Sequence, residues 1–416
     1  MKNFEQLENF ISSHENWKEL LKAKPYALKS IKQCPWDENL WILNYNLFES
    51  DLTLPIVKQC RGTVIELIDG KARVVCAPYL KFFNYGDPNC DEIDYNSAVA
   101  REKVDGQLIK AFKYNGFLFW VSNGDFGLDT NLVGTSSTIK DYKDLLYDAI
   151  ISPYKEHIPS WYRPQLFKEP AFEVANIQWM KEIPEGWTLM FELCSPYNPI
   201  IVKYNEVKLY FHGARDSEGN EHEPEEIAKQ FDIPYEIPQK FDFKNINEAL
   251  DTINHWKGTD HEGIVVCDSN YHRIKVKCSD YLEEKFNRDF IDSLGRDDTI
   301  FKLIIEESYD DFLPTHPEIK ERLDYMILRL EEFKANILRV SDDAIKMRQN
   351  LGDQKSFAEW VNKEHRNLNK IYFGAAKYGN SETWYNKLFN SQIKDCQGNE
   401  YKHFIEWENL FSGNRN

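Results

Sequence analysis

The stretch Lys103-Val104-Asp105-Gly106-Gln107-Leu108-Ile109-Lys110-Ala111-Phe112-Lys113-Tyr114-Asn115-Gly116-Phe117-Leu118-Phe119-Trp120-Val121-Ser122 runs from a short polar string into a β-hairpin. Leu108–Tyr114 and Phe117–Ser122 are rich in aromatic and β-branched residues, and Asn115-Gly116 is a two-residue turn that tolerates the positive φ such hairpins need. The pattern also occurs earlier, as Gly62–Ile68, Asp69-Gly70 and Arg73-Val74-Val75. Val207–Phe211 and Gly263–Cys267 are further strand candidates, while Lys140–Ile151 and Ile246–Trp256 have the apolar spacing of helices. Short strands joined by tight turns predict an α+β domain of antiparallel sheets flanked by helices.

Beyond about residue 285 the spacing changes. Thr299–Ser308 is amphipathic, and Pro317 opens a helix reaching about Gly352, with Ile319, Leu323, Ile327, Leu330 and Ile337 at helical intervals. Phe357–Tyr378 and Ser381–Asn390 also read as helices. The expected organisation is a mixed domain over 1–285 and an all-helical domain over 286–416, in keeping with a length of 416 residues. Hydrophobic content of 42% with 14% aromatics supports packed cores. No run of about twenty apolar residues is present and Met1-Lys2-Asn3-Phe4-Glu5 has no signal pattern, so a soluble cytoplasmic protein without a membrane span is expected. The eight scattered cysteines form no C-x-x-C pair, and the ten histidines show no ligand spacing, which argues against a zinc site or a disulfide framework. The tryptophans at 179, 187 and 256 read as core. Ser195 lacks the G-x-S-x-G context of a serine nucleophile. A net charge of -17 weighs against nucleic acid unless the basic residues are gathered into one groove.

Lys103-Val104-Asp105-Gly106 stands just before a strand. Lys-x-Asp-Gly should occur by chance in about one chain in ten of this length, and alone it is more often a surface turn. Its company matters. Thr188–Phe191 is an apolar strand ending in Glu192; Glu262 opens the strand Gly263–Val266; and in Lys275-Val276-Lys277 period-two alternation puts both ammonium groups on one face. Separately these are a strand end, a strand mouth and an exposed edge strand. Together they place lysines and carboxylates on one sheet face, a set suited to a nucleoside triphosphate and a metal ion.

In this order the four strings resemble the motifs of covalent nucleotidyltransferases: DNA ligases, RNA ligases and mRNA capping enzymes. The chain is most similar to the tRNA-repair RNA ligase family of T-even phages (RNA ligase 1). That similarity extends to Asn44-Tyr45-Asn46, Cys60-Arg61-Gly62, Lys81-Phe82-Phe83-Asn84, Glu192–Val202 and Lys277-Cys278-Ser279-Asp280-Tyr281, and covers roughly residues 40 to 312. It implies an ATP-dependent ligase that joins 3′-OH and 5′-phosphate RNA ends through lysyl-AMP and RNA-adenylate. Lys103 would be the nucleophile, Asp105 would assist sealing, Glu192 would contact the ribose and Glu262 would hold Mg2+ or Mn2+. Lys275 and Lys277 would bind the α-phosphate, Arg61 and Lys81 the outer phosphates, and Tyr45, Phe83 and Gly106 would complete the nucleotide site. Tyr281 matches a tyrosine the family needs, and Asp310 a metal-associated aspartate, set against an ordinary solvated helix end. The implied partner is RNA, a tRNA broken in its anticodon loop, met by a monomer in a bacterial or phage-infected cytoplasm. One departure stands out. Where the family has Ser-Lys-Gly against phosphate, this chain has Ser122-Asn123-Gly124.

The chemistry suits these residue types. A lysine amine attacks the α-phosphate only when deprotonated, and its usual pKa near 10.4 makes that rare at neutral pH. Neighbouring cations disfavour the charged form and stabilise charge developing on the phosphates. Alternatives are a DNA ligase or capping guanylyltransferase, which usually carry an OB-fold after the last lysine motif, and a non-catalytic nucleic-acid-binding relative. A Schiff-base lysine enzyme would not need the paired-lysine strand.

Overall fold

The computed structural model describes residues 4–412 apart from 48, 129–131, 133, 137, 155–176, 287, 314, 315 and 397. The chain divides into two compact units, Met1–Asn287 and Arg288–Asn416.

Among the described residues, three sheets build the first unit. The first runs β1 (Ser30–Gln33), β2 (Leu40–Asn44), β3 (Arg61–Ile68), β4 (Lys71–Cys76) in sequence order. Later strands are β5 (Phe83–Asn84), β6 (Val99–Lys103), β7 (Gln107–Tyr114), β8 (Phe117–Val121), β9 (Thr188–Cys194), β10 (Lys208–Arg215), β11 (Glu221–His222), β12 (Lys240–Phe241), β13 (Gly263–Cys267) and β14 (Arg273–Lys277). They form a second sheet of order β11-β10-β9-β7-β8 and a third of order β12-β6-β13-β14-β5. Both expected hairpins are present. Their turns, Asp69-Gly70 and Asn115-Gly116, have φ of 49°, 74°, 50° and 82°, the doubly positive pattern of a two-residue hairpin loop. Among the described residues the strand pairings are antiparallel with one exception: β5 runs parallel to β14, pairing Ile274 with Phe83 and Lys275 with Asn84. The Lys275–Lys277 strand is therefore internal to its sheet, not an exposed edge.

Period-two alternation distributes the core. Leu43, Ile65 and Val74 face the helices Glu5–Ser13 and Trp17–Lys22 and pack against Leu7, Ile11 and Trp17. Their neighbours Ile42, Val64 and Val75 point the other way, onto Phe112, Phe119 and Val121 of the second sheet. The opposite face of that sheet, with Ile109, Leu189, Phe191 and Phe211, is covered by Tyr142–Ile151 and Pro224–Phe231.

The second unit is built of helices. Lys320–Leu351 spans 32 residues and buries Leu323, Met326, Leu330, Phe333, Ile337, Val340 and Ala344, alternating three- and four-residue steps along one face. Asp353 and Asn380 cap the helices that follow through backbone N–H groups of Lys355, Ser356 and Thr383. The helix expected over Phe357–Tyr378 breaks at His365 and resumes after a 3-10 turn at Arg366–Leu368. Among the described residues, no helix is long and apolar enough to cross a membrane.

The third sheet depends on a close approach at Gly263, where an added Cβ would collide with the Val276 carbonyl oxygen and meet Lys277 Cα at 2.7 Å. Gly263→Ala is expected to destabilise the first unit by about 3 kcal/mol. A urea titration of the full chain, read on that unit's transition, checks this; an unchanged midpoint would contradict the close approach.

Candidate active site

The register of the third sheet sets the site. Lys103 pairs with Gly263 and Gly263 with Lys277; Arg101 pairs with Val265 and Val265 with Lys275; Val99 pairs with Cys267 and Cys267 with Arg273. These three cross-strand rows all line one cavity of about 300 Å³. Successive rows are two residues apart, so the lined strip runs roughly 13 Å from Lys103 to Val99. Leu108, Glu192 and His212 of the second sheet line it too, together with Tyr45, Arg61, Tyr79, Lys81 and Phe82.

Glu262, just before β13, is only 3% exposed. Lys103 Nζ lies 2.6 Å from its Oε2, and Lys277 Nζ 3.1 Å from its Oε1. Burial alone would raise the Glu262 pKa, but the two ammonium groups overcome it and hold the carboxyl below its ordinary range. The nucleophile candidate is therefore tied to the metal-ligand candidate by a direct ion pair. Among the described residues no group of three or more His, Cys, Asp or Glu could cage a metal. A divalent ion here would share Glu262 with phosphate oxygens of a bound nucleotide, the usual arrangement for magnesium. The donor set fits an ion that arrives with its nucleotide.

Glu192 reaches the cavity from β9, and its Oε2 meets His212 Nε2 at 3.0 Å. Arg61 donates to the Tyr79 carbonyl at 3.3 Å, with its guanidinium 5.0 Å from the Phe82 ring centre. Lys81 Nζ lies 5.7 Å from the Tyr45 ring centre and 5.2 Å from that of Phe83. Phe82 lines the cavity, while Phe83, 3% exposed, is buried on the short strand β5.

Asp105 and Gly106 hold the loop that follows Lys103. Asp105 Oδ2 accepts from the backbone N–H of Ile201 at 2.9 Å and Val202 at 2.8 Å, and Oδ1 accepts from Tyr281 Oη at 2.9 Å. Burial, and then the Glu262 charge, raise the Asp105 pKa against these bonds. The carboxylate is occupied by the protein's own backbone, which makes Asp105 a positioning group in this structure. Tyr281 acts through it. Gly106 is required by proximity: a Cβ there would meet the Leu193 carbonyl oxygen at 2.6 Å, Cys194 Sγ at 2.8 Å and Glu192 Cγ at 2.9 Å.

Asn123 belongs to a side groove with Lys32, Gln107, Leu108 and Asp125, outside the main cavity. Close to it lies Lys110, fully buried, whose ammonium donates to the Gly62 carbonyl. Burial, reinforced by the Arg61 charge, lowers the Lys110 pKa to about 8. A lysine inside Ile109-Lys110-Ala111-Phe112 is anomalous for a buried strand, and that anomaly was the available signal for it. Asp310 lies in the 3-10 turn Tyr309–Asp311 of the second unit.

Two outcomes follow from these bonds. Tyr281→Phe leaves Asp105 Oδ1 short of a buried donor and should destabilise the first unit by about 1–3 kcal/mol, measured by chemical denaturation. The second concerns pH. A carboxyl held below its ordinary value of 4.5 contributes stability above that pH, and the contribution fades as pH falls through the depressed value. The melting-temperature gap between the native chain and Glu262→Gln should therefore narrow from about pH 6 to about pH 3. A constant gap would show that the ion pairs add nothing to folding.

The chain resembles several known proteins. It is 26% identical over 297 residues to a protein of Autographa californica nuclear polyhedrosis virus assigned as a bifunctional polynucleotide kinase/RNA ligase. That match covers 68% of this chain but only 38% of the length of this curated relative. Among solved structures it is similar to an archaeal ATP-dependent RNA ligase, at 12% identity and TM-score 0.40, over 80% of this chain and 82% of that one. It is also similar to an alanine variant of the Naegleria gruberi RNA ligase with ATP and manganese, at 9% identity and TM-score 0.31, over 63% and 98%. A description of the family named RNA ligase matches residues 59–287, more than half of the sequence, and the chain belongs to that family.

Proposed function

We propose that this chain is an ATP-dependent RNA ligase that joins 3′-OH and 5′-phosphate RNA ends through a covalent AMP adduct on Lys103. The observation that carries the reading is the Lys103–Glu262–Lys277 cluster at one end of a cavity otherwise rich in cations.

In the first step the Lys103 amine, once neutral, forms an N–P bond to the α-phosphate of ATP and pyrophosphate leaves. Lys275 and Lys277 stabilise charge on the α-phosphate, while Arg61 and Lys81 hold the outer phosphates. Glu192 binds the ribose, and Tyr45 and Phe82 border the nucleotide. Asp105 and Gly106 fix the loop after Lys103, so that the amine is presented without conformational search. The adduct nitrogen no longer carries a positive charge, which removes one of the two ammonium partners of Glu262 and leaves that carboxylate open to a divalent ion. Glu262 would hold magnesium or manganese, which would supply neutralisation of phosphate charge and polarisation of the phosphorus. AMP then passes to the 5′-phosphate of an RNA end, giving RNA-adenylate and free Lys103. Attack by a 3′-OH forms the phosphodiester and releases AMP.

The substrate we assign is a tRNA broken in its anticodon loop, sealed by a monomer. The resemblance to the T-even phage repair ligases supports this, as does a second unit made of helices at the place where DNA ligases and capping enzymes usually carry an OB-fold.

Incubation with α-labelled ATP and magnesium should leave label on the denatured chain. Lys103→Ala should abolish it, and Lys277→Ala should slow it by roughly 10²- to 10³-fold. Equal labelling of Lys103→Ala would overturn the mechanism, and preferential labelling from GTP would favour the capping reading. Faster sealing of a nicked DNA duplex than of a cleaved anticodon loop would overturn the RNA-repair assignment.

A further inference from the structure

The pairing of β9 with β10 contains an irregularity inside the cavity. Tyr210 pairs with Glu192 and Phe211 with Phe191, but Met190 then pairs with Gly213, so His212 is an extra residue without a place in the ladder. Such a bulge re-aims the side chain it carries. The imidazole of His212 meets Glu192 Oε2 at 3.0 Å, and both residues line the cavity. With the carboxylate as acceptor, the pairing assigns the proton to Nε2.

The bulge is locked from two sides. Tyr79 Oη donates to the His212 carbonyl at 2.9 Å. Gly213 has φ of +140°, and a Cβ there would meet Tyr79 Oη at 2.7 Å and the His222 carbonyl oxygen at 3.1 Å. Tyr79 is itself held against the Arg273 guanidinium, 4.0 Å from its ring centre. The imidazole is thus delivered to Glu192 by a backbone device that an ordinary strand residue could not provide.

We propose that His212 is a specificity-determining positioning residue that fixes Glu192 as the reader of a sugar hydroxyl, so that the site selects a ribonucleotide over its deoxy analogues. The inference deepens the adenylation reading and rests on it. A glutamate free to rotate can turn to other donors when the hydroxyl is missing, and then discriminates weakly. With Oε2 held by His212 the carboxylate cannot turn away, and a nucleotide lacking the hydroxyl leaves one of its acceptor sites unpaired in a partly desolvated cavity.

The test compares self-adenylation rates with labelled ATP, 2′-deoxy-ATP and 3′-deoxy-ATP for the native chain, His212→Leu and His212→Gln. Leucine keeps volume and strand propensity without a donor, while glutamine can donate an N–H. The native chain should favour ATP over at least one deoxy analogue. His212→Leu should shrink that preference roughly tenfold, mostly through KM, and His212→Gln should retain most of it. A native chain with no preference, or a His212→Leu variant that slows ATP and the deoxy analogue equally, would overturn the role of His212. Native protein that takes no label from ATP would instead overturn the adenylation reading. If His212→Leu melts far below the native chain, His212→Gln decides alone: loss of the preference despite a native melting temperature counts against the donor.

Discussion

Glu262 sits between two ammonium groups with almost no water to share its charge. An isolated buried carboxylate would be strongly disfavoured, and removing either partner would leave an uncompensated charge. The pairing therefore constrains more than itself. Lys103 ends β6, Glu262 precedes β13 and Lys277 ends β14, so three strands must register within one residue for the ions to meet. A slip of one residue would turn every side chain of a strand to the other face. Gly263 allows the backbones to approach at that point, and the same register lines Arg101, Lys275 and Arg273 along the cavity.

A second set of bonds, gathered on Asp105, also holds the site. Asp105 binds the backbone of Ile201 and Val202, almost a hundred residues away in sequence, and Tyr281 closes the set. The loop Asp105-Gly106 is thereby clamped between the strand that ends in Lys103 and the segment that follows Glu192. Rigid support of this kind is what a transfer reaction governed by positioning requires, because misplacement of the attacking atom by about 1 Å is enough to slow such a step about a hundredfold.

Much of this was legible in the sequence. The Asn-Gly and Asp-Gly turns fixed two hairpins, and the paired lysines at 275 and 277 do face the same cavity as Lys103. What escaped has a common cause: local patterns cannot see partners contributed from far along the chain. The sealing role expected of Asp105 gives no hint that amides from residues 201 and 202 bind its carboxylate. Phe82 and Phe83 are indistinguishable until the two-residue strand β5 decides which one turns inward. β5 itself runs parallel because it reaches β14 by a long connection and not by a hairpin. His212 was hidden because a period-two reading of Leu209-Tyr210-Phe211-His212-Gly213 does not anticipate an inserted residue, although a glycine after histidine inside an apolar strand was a hint of one.

The charge distribution ties these levels together. The chain carries a net charge of -17, yet its cavity is lined by Arg61, Lys81, Arg101, Lys103, Arg273, Lys275 and Lys277 against Glu102, Glu192 and Glu223. At least four of those cations are already engaged: Lys103 and Lys277 with Glu262, Arg101 with Glu223 and Glu225, and Arg273 with Glu221. Under the proposed function, an arriving triphosphate would compete for cations that the protein has used to satisfy its own carboxylates. That competition suits a catalytic site, since the ion pairs keep the cations ordered before the substrate binds and need only exchange partners when it does. The acidic remainder of the molecule weakens sequence-independent attraction to phosphate backbones, so discrimination among nucleic acids must rest on contacts made at specific sites.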